Sequence, residues 1–271
     1  METYSEMSLR DTIKAARRKW YRFKRRILYM NDIRDWLQRR RNARLLAEAR
    51  RTGRGETGGA PLVSVTIPTY NRGEILAART IPSVLKQTYR NFELIIVGDH
   101  CTDDTEELVK KFNDERIVFH NLPRRGRYPR KPRDRWKVAG TVPMNKAIEL
   151  ARGEWIAPLD DDDEFSEDHI EALLDFALAN DHEMVYGKVL MEKESGEWTE
   201  VGSYPPAMGH ISHMSVLYSS ILRFIRCDVA SWKYGEPADW NRWRRMLEAG
   251  VRIGFLDKTV GRHYREKTQL G

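Results

Sequence analysis

Residues 153–163 read Gly-Glu-Trp-Ile-Ala-Pro-Leu-Asp-Asp-Asp-Asp. Trp155–Leu159 is a short apolar run, which predicts a buried strand. Four consecutive aspartates follow it at once. Adjacent carboxylates repel each other, and placing them at the end of a buried strand is unfavourable unless a cation compensates. Mg²⁺ and Mn²⁺ are hard ions that prefer carboxylate oxygen and keep positions open for water and phosphate. The alternative is a solvated acidic loop that caps the next helix, a task Ser166 and Asp168 would share.

Working outward, apolar runs alternate with helical periodicity. Leu62–Ile67 predicts a first strand stopped by Pro68, and Phe92–Val97 and Ile117–Asn121 predict two more. Helical spacing covers Ile75–Gln87, interrupted at Pro82, then Asp104–Phe112, capped by Asp103 or Thr102, and Pro143–Ala151. A helix from about Glu167 to Asn180 follows the aspartates, and Met184–Leu190 with Trp198–Val201 flank Glu194-Ser195-Gly196, which predicts a hairpin. Short strands alternating with helices imply an α/β fold with a mostly parallel sheet covered on both faces. Ligands of such sheets bind outside the carboxyl ends of the strands. Three of those ends are chemically loaded: Pro68-Thr69-Tyr70-Asn71-Arg72, Gly98-Asp99-His100 and Asp160 to Asp163.

The 271 residues, 41% hydrophobic and 32% charged, allow a sizeable core and exclude global disorder. No apolar run approaches the ~18 residues of a spanning helix, and arginines break up the N-terminal apolar residues, unlike a secretory signal. Two cysteines, Cys101 and Cys227, make no disulfide framework, so a reducing cytoplasm is the expected location. Residues 1–55 hold 17 Lys/Arg against 6 Asp/Glu, and the remainder holds 30 against 34. A basic appendage on a mildly acidic body suggests an anionic partner. Ile13, Ala16, Trp20, Phe23, Ile27 and Met30 form one helical stripe among arginines, and a second stretch, Ile33 to Ala49, carries Trp36, Leu37, Leu45 and Leu46. Residues 10–50 therefore suit either an anionic membrane interface, with the chain peripheral on its inner face, or packing on the body or a second subunit. Nucleic acid is not expected, since no zinc, homeodomain or RNA-binding signature accompanies the charge. Arg51 to Ala60, with four glycines, reads as a linker. The expected division is an extension at 1–55 and a catalytic domain at 56–271.

Together these stretches resemble the family 2 glycosyltransferases, which have the GT-A fold. Residues 63–72 (VSVTIPTYNR) resemble the family's opening strand and nucleotide-contacting turn, and 83–97 its first helix and second strand. Asp99 with Thr102-Asp103-Asp104-Thr105 resembles its DDGSTDDT segment, and 153–163 its GEYIAFLDxDD segment. The match is close from about Pro61 to Asp168 and looser beyond. The resemblance implies an inverting, metal-dependent transfer from a nucleotide-sugar donor, with UDP the commonest, to a hydroxyl of a glycan or lipid-linked acceptor. It implies that Asp99 bonds the base and that Pro68, Thr69, Tyr70 and Arg72 line the nucleoside pocket. Asp160 and Asp162 form the DxD pair, with Asp162 on Mn²⁺ or Mg²⁺ and Asp160 or Asp161 toward ribose or the metal's waters. The family's base is a carboxylate opening a C-terminal helix. Asp239, in Gly235-Glu236-Pro237-Ala238-Asp239, fits it, and Glu236 is the nearest substitute. A late histidine, His263, fits a further metal ligand or a contact that holds the diphosphate, and His213 lies in a segment resembling one beneath the sugar pocket. Trp232, Tyr234, Trp240 and Trp243 offer stacking faces or core packing.

The chain departs from the pattern in places. Gly98-Asp99 stands where two acids are usual, His100-Cys101 replaces Gly-Ser, and Met144 replaces the arginine before Asn145. Arg124 to Arg135 is a basic, proline-containing insertion, either a source of cations for a diphosphate or anionic acceptor, or a surface loop. Two rival functions remain open: a non-catalytic GT-A scaffold anchored through its basic helices, and a nucleotidyltransferase. The second would want a Gly-rich phosphate loop after the first strand, where this chain has Pro-Thr-Tyr-Asn-Arg.

Overall fold

The computed structural model describes residues 33–53 and 59–265. The stripe from Ile13 to Met30 and residues 54–58 of the expected linker lie outside them. The order is α1 (33–52), β1 (Val63–Thr69), α2 (Gly73–Ile75), a π turn (Leu76–Thr80), α3 (Ile81–Leu85), β2 (Phe92–Gly98), α4 (Thr105–Lys110) and β3 (Ile117–Asn121). Then come α5 (Pro132–Trp136), α6 (Thr141–Leu150), β4 (Trp155–Pro158), β5 (Glu164–Phe165), α7 (His169–Ala179), β6 (Met184–Glu192), β7 (Trp198–Val201), β8 (Val216–Ser219), α8 (Ala238–Ala249) and β9 (Ile253–His263).

One sheet runs β3-β2-β1-β4-β8-β6-β9-β5, with β7 paired to β6. β1 pairs in parallel with β2 on one side and β4 on the other, and β2 pairs in parallel with β3. Every residue of β1, β2 and β4 is buried, as expected of strands covered on both faces. β8 is antiparallel to β4 and β6, so the sheet turns mixed beyond β4. Connections step outward from β1 to β3 and then cross back to β4. The resulting switch point, between the carboxyl ends of β1 and β4, is where such sheets bind ligands.

Alternation along β2 divides the core. Leu94 and Ile96 join α3 and α7 on one face, and Ile95 and Val97 join α6 and α8 on the other. Gly153 opens β4 under close contact: a Cβ there would lie 2.7 Å from the Leu62 carbonyl oxygen, so the chain enters the strand only as glycine. α1 lies against the second core through Leu46, with Arg39 bonding Glu248 at 2.8 Å and Arg50 bonding Glu183 at 2.7 Å. Its outer face carries exposed Ile33, Trp36 and Leu37.

Two expectations shift in detail. The interruption expected at Pro82 lies just before it, as the π turn. Proline has no N–H for the carbonyl four residues back, and the helical ladder is re-spaced there. The N-cap of α4 is Asp104, while Asp103 accepts from the Thr105 N–H and hydroxyl.

Candidate active site

Asp160 lies two residues beyond the carboxyl end of β4, after Leu159, and Asp161, Asp162 and Asp163 are buried. Their backbone is tied to the π turn. The Thr80 hydroxyl bonds the carbonyls of Asp161 (2.9 Å) and Asp163 (3.0 Å), and Arg79 donates to the carbonyl of Asp162 at 2.7 Å. Arg79 also stacks 3.7 Å above the Tyr264 ring. The sequence reading did not single out Arg79, Thr80 or Tyr264, since nothing local marks contacts more than 80 residues apart.

Three of the four carboxylates have basic side chains as partners. Arg72 donates to Asp161 at 3.2 Å and to Asp162 at 2.5 Å. Nδ1 of His263 lies 2.8 Å from Oδ2 of Asp163, whose Oδ1 accepts from the Tyr264 N–H at 3.0 Å. Burial, then the charges of Asp163 and Asp162, push the Asp160 carboxyl well up. Burial and Asp162 push Asp161 up to about 7 against the opposing charge of Arg72. Burial alone would lower His263, but its bond to Asp163 and the charges of Asp163, Asp160 and Asp162 raise it. Among the described residues, no three His, Cys, Asp or Glu side chains form a ready-made cation cage. The donor set nonetheless fits a hard divalent ion: these are oxygen ligands held against their own repulsion, with one imidazole oriented by a carboxylate.

Asp239 sits in the first turn of α8, as the sequence predicts. Burial holds its carboxyl above the usual aspartate range, against the pull of the Trp240 and Asp239 backbone N–H groups and of His263. It is near enough to Asp160 to contribute to that residue's shift. Glu236 is committed elsewhere, accepting from Asn241 at 2.6 Å and from Arg244 at 2.8 and 3.0 Å. His213 and Trp243 are buried and stacked 6.0 Å apart, so that part of the aromatic cluster is core.

Across the switch point, Asp99 is buried beyond the end of β2, its N–H bonded to the Thr69 carbonyl at 2.8 Å. Pro68 and Thr69 are the last residues of β1, level with Val97 and Gly98, and Tyr70 follows at the surface. Asn71 (φ 50°) and His100 (φ 63°) both adopt the left-handed region, so His100 keeps at some strain the shape that glycine gives freely. The insertion folds onto this end of the sheet: Oδ1 of Asp99 accepts from the Gly126 N–H at 2.8 Å, and the Arg125 guanidinium lies 3.6 Å over the Tyr70 ring.

The family model described as "Glycosyl transferase family 2" matches residues 64–229, more than half of the sequence. The chain belongs to this family. Over 197 residues it is 30% identical to UDP-Glc:alpha-D-GlcNAc-diphosphoundecaprenol beta-1,3-glucosyltransferase WfaP of Escherichia coli, covering 70% of this chain and 72% of that one. Several other curated relatives are matched over only 37% to 45% of their own length. Among solved structures, Staphylococcus aureus TarS 1-349 in complex with UDP-GlcNAc superposes with a TM-score of 0.61 at 20% identity, over 77% of this chain and 60% of that one. Mannosyltransferase PcManGT from Pyrobaculum calidifontis, in complex with GDP-Man and Mn2+, gives 0.57 at 16% identity, over 88% and 69%. The fold of this family 2 member is GT-A.

Proposed function

We propose that this chain is a metal-dependent, inverting glycosyltransferase that moves a sugar from a UDP-sugar to a hydroxyl of a glycan, glycolipid or other glycoconjugate. The observation that carries the reading is the gathering of Asp160, Asp239 and His263 into one electrostatic group at the β1/β4 switch point, with Asp99 and Tyr70 on its other side. WfaP supports the donor and acceptor classes by its name, and TarS was crystallised with UDP-GlcNAc.

In this reading Asp99 bonds the base, and Pro68, Thr69, Tyr70 and Arg72 line the nucleoside pocket. Asp239 takes the proton of the acceptor hydroxyl as its oxygen bonds C1 of the sugar. The C1–O bond to the diphosphate breaks, its electron pair stays on the phosphate oxygen, and C1 inverts. Asp162, Asp160 and His263 would hold Mn²⁺ or Mg²⁺, with Asp161 toward the ribose. When bound, the ion neutralises charge on the departing diphosphate. Arg72, already against Asp161 and Asp162, adds a fixed cation on the same side.

Residues 1–55 act as an extension on the catalytic body, 56–271. The outer face of α1 supports an anionic membrane surface as its partner, because apolar Ile33, Trp36 and Leu37 are exposed beside Arg40 and Arg44. Among the described residues, no helix is long and apolar enough to cross a membrane. The test is nucleotide release with Mn²⁺ and a panel of nucleotide sugars, with mass detection of the product. Failure of wild type to release any nucleotide would sink the reading.

A further inference from the structure

Away from the crevice, α1 and the catalytic body enclose an open cleft of about 240 Å³. Gln38, Arg41 and Asn42 line it from α1, at the spacing of a single helix face. Arg226 and Asp228, between β8 and α8, line it from the body together with Arg245 of α8. Neither the aspartate loop nor Asp99 nor Asp239 is part of this wall.

The wall is basic, and its donors are short of acceptors. Among the described residues, none of the three arginines has a carboxylate partner. Asp228, the acid beside them, already accepts from the Ala230 N–H at 2.8 Å and lies 3.9 Å from Arg34. Arg226 donates one N–H to the Asn145 carbonyl at 2.6 Å. Arg245 is 7% exposed, and its Nε donates to the Asn241 carbonyl at 3.2 Å and amide oxygen at 3.0 Å. Its Nη2 donates to the Arg226 carbonyl, which leaves Nη1 without a bond. Burial pushes this guanidinium below the usual arginine range. Asn42 is 8% exposed, and its amide makes no hydrogen bond. A buried amide without a partner, beside a buried cation without an acid, is unfavourable unless a ligand joins them.

From this arrangement we infer that the cleft binds a phosphate group, carried by a lipid headgroup or by a free phosphate ester. The charge requires an anion, since three guanidinium groups face one carboxylate that Arg34 already shares. The shape of the donor set selects among anions. A carboxylate offers two oxygens in one plane and suits a single guanidinium fork. A phosphate offers oxygens around a tetrahedron, so it can accept from arginines that arrive from three different segments. Asn42 adds N–H donors without adding charge. At roughly 30 Å³ per water, the cleft holds about eight, enough for a phosphate group with part of its hydration. Exposed Trp36 and Leu37 immediately precede Gln38, so apolar surface for a lipid tail lies close by.

The experiment uses the full chain without divalent metal or nucleotide. Calorimetry at fixed ionic strength measures inorganic phosphate, glycerol phosphate and acetate. Flotation measures phosphatidylcholine vesicles with and without phosphatidylglycerol. Wild type should bind the phosphates at least about tenfold more tightly than acetate. Arg41→Gln should weaken phosphate binding about tenfold, the worth of one hydrogen bond to a charged group. Arg41 is exposed and unpaired, so that variant should fold, and an unchanged melting temperature checks it. Asn42→Leu should weaken binding several-fold, yet leave the melting temperature without phosphate equal or higher, because the lost amide had no partner. Asn42→Leu alters no charge, so it separates the cleft from the general attraction between arginines and anionic vesicles. If it weakens vesicle flotation, the phosphate is a headgroup. If it weakens only glycerol phosphate and inorganic phosphate binding, the source is a soluble ester. Acetate bound as tightly as phosphate overturns the ligand class. Wild type that binds neither phosphates nor phosphatidylglycerol vesicles, or binding that both variants leave unchanged, overturns the site. Metal and nucleotide are absent from every arm, so such a failure leaves the nucleotide-sugar reading standing.

Discussion

Nδ1 of His263 lies 2.8 Å from Oδ2 of Asp163, joining the end of β9 to the loop after β4 across 100 residues of sequence. The bond fixes the ring and turns Nε2 away from Asp163. A carboxylate behind a histidine is the usual way to orient a metal-binding imidazole and raise its basicity. Asp163→Asn should therefore weaken Mn²⁺ binding in the presence of UDP about 10- to 100-fold, although Asp163 itself is not among the expected ligands. His263→Ala should do at least as much, and His263→Gln should not restore it. Calorimetric titration of Mn²⁺ at fixed UDP reads the effect. Equal manganese affinity in wild type and both variants would mean that the pair only latches β9 to the aspartate loop.

Asp239 and Glu236 lie three residues apart, and their surroundings differ. Glu236 is ion-paired with Arg244 and held by Asn241, whereas Asp239 is buried near enough to Asp160 and His263 for their charges to act on one another. Asp239→Asn should reduce kcat by about 10² to 10⁴, the usual worth of a general base, and leave UDP affinity within twofold. Glu236→Gln should change kcat little and lower the melting temperature. In the proposed role Asp239 works in its ionised form, and burial raises its pKa. The acid limb of the kcat/KM profile should thus fall above the ordinary aspartate range, with activity lost as pH drops through it. A large loss of turnover in Glu236→Gln with near-normal Asp239→Asn would reverse the assignment.

Glu183 is the buried anchor of α1. Arg50 reaches it with two bonds of 2.7 Å, and the Arg252 N–H adds a third at 3.0 Å. Burial alone would raise its pKa, but the bonds from Arg50 and Arg252 outweigh this and hold it below the usual glutamate range. The folded state therefore binds its proton less readily than the unfolded chain. The resulting stability is fully present above the ordinary glutamate pKa and is lost as pH falls through the lower folded value. Glu183→Ala should destabilise by about 1 to 3 kcal/mol, since it removes the acceptor of the Arg252 N–H and of both Arg50 bonds while the two partly exposed guanidinium groups stay hydrated. Arg50→Ala should cost at least as much, because it leaves the buried Glu183 carboxylate with Arg252 alone. Melting curves between pH 7 and 3 check both points: Glu183→Gln should flatten the acid side of the wild-type profile. A parallel profile would remove Glu183 as a source of acid sensitivity.

Legibility in the sequence followed the range of the forces. β1, β2 and β4 read directly, because strands covered on both faces are rich in apolar and β-branched residues, even where Ser64, Thr66 and Glu93 are buried among them. β9 did not: it carries Asp257, Lys258, Arg262 and His263 and alternates between sheet contacts and solvent. The aspartates, Asp99 and Asp239 stand out in the sequence through motif and position. Their neighbours Arg79, Thr80 and Tyr264 were not, because each reaches the site by tertiary contact alone. The insertion was visible as a basic stretch, but its landing on Tyr70 and Asp99 was not, since loop composition carries no address.

α1 has two faces with separable consequences. Leu46 on the inner face is 1% exposed and belongs to the core, whereas Trp36 and Leu37 are 52% and 54% exposed. Leu46→Ala should destabilise by about 2 to 5 kcal/mol, the range for a buried leucine truncated to alanine. The double variant Trp36→Ala/Leu37→Ala removes little packing and should leave the melting temperature within about 2 °C, since surface changes usually stay within about 0.5 kcal/mol. If the outer face meets a bilayer, the same double variant should weaken association with vesicles containing anionic lipid. Replacing Arg40 and Arg44 by glutamine should remove about 1 kcal/mol of attraction per charge, and added salt should mimic that loss. Co-sedimentation with anionic and neutral vesicles separates the two contributions. Full-length protein that ignores anionic vesicles at low salt would rule out the membrane as the partner of this face.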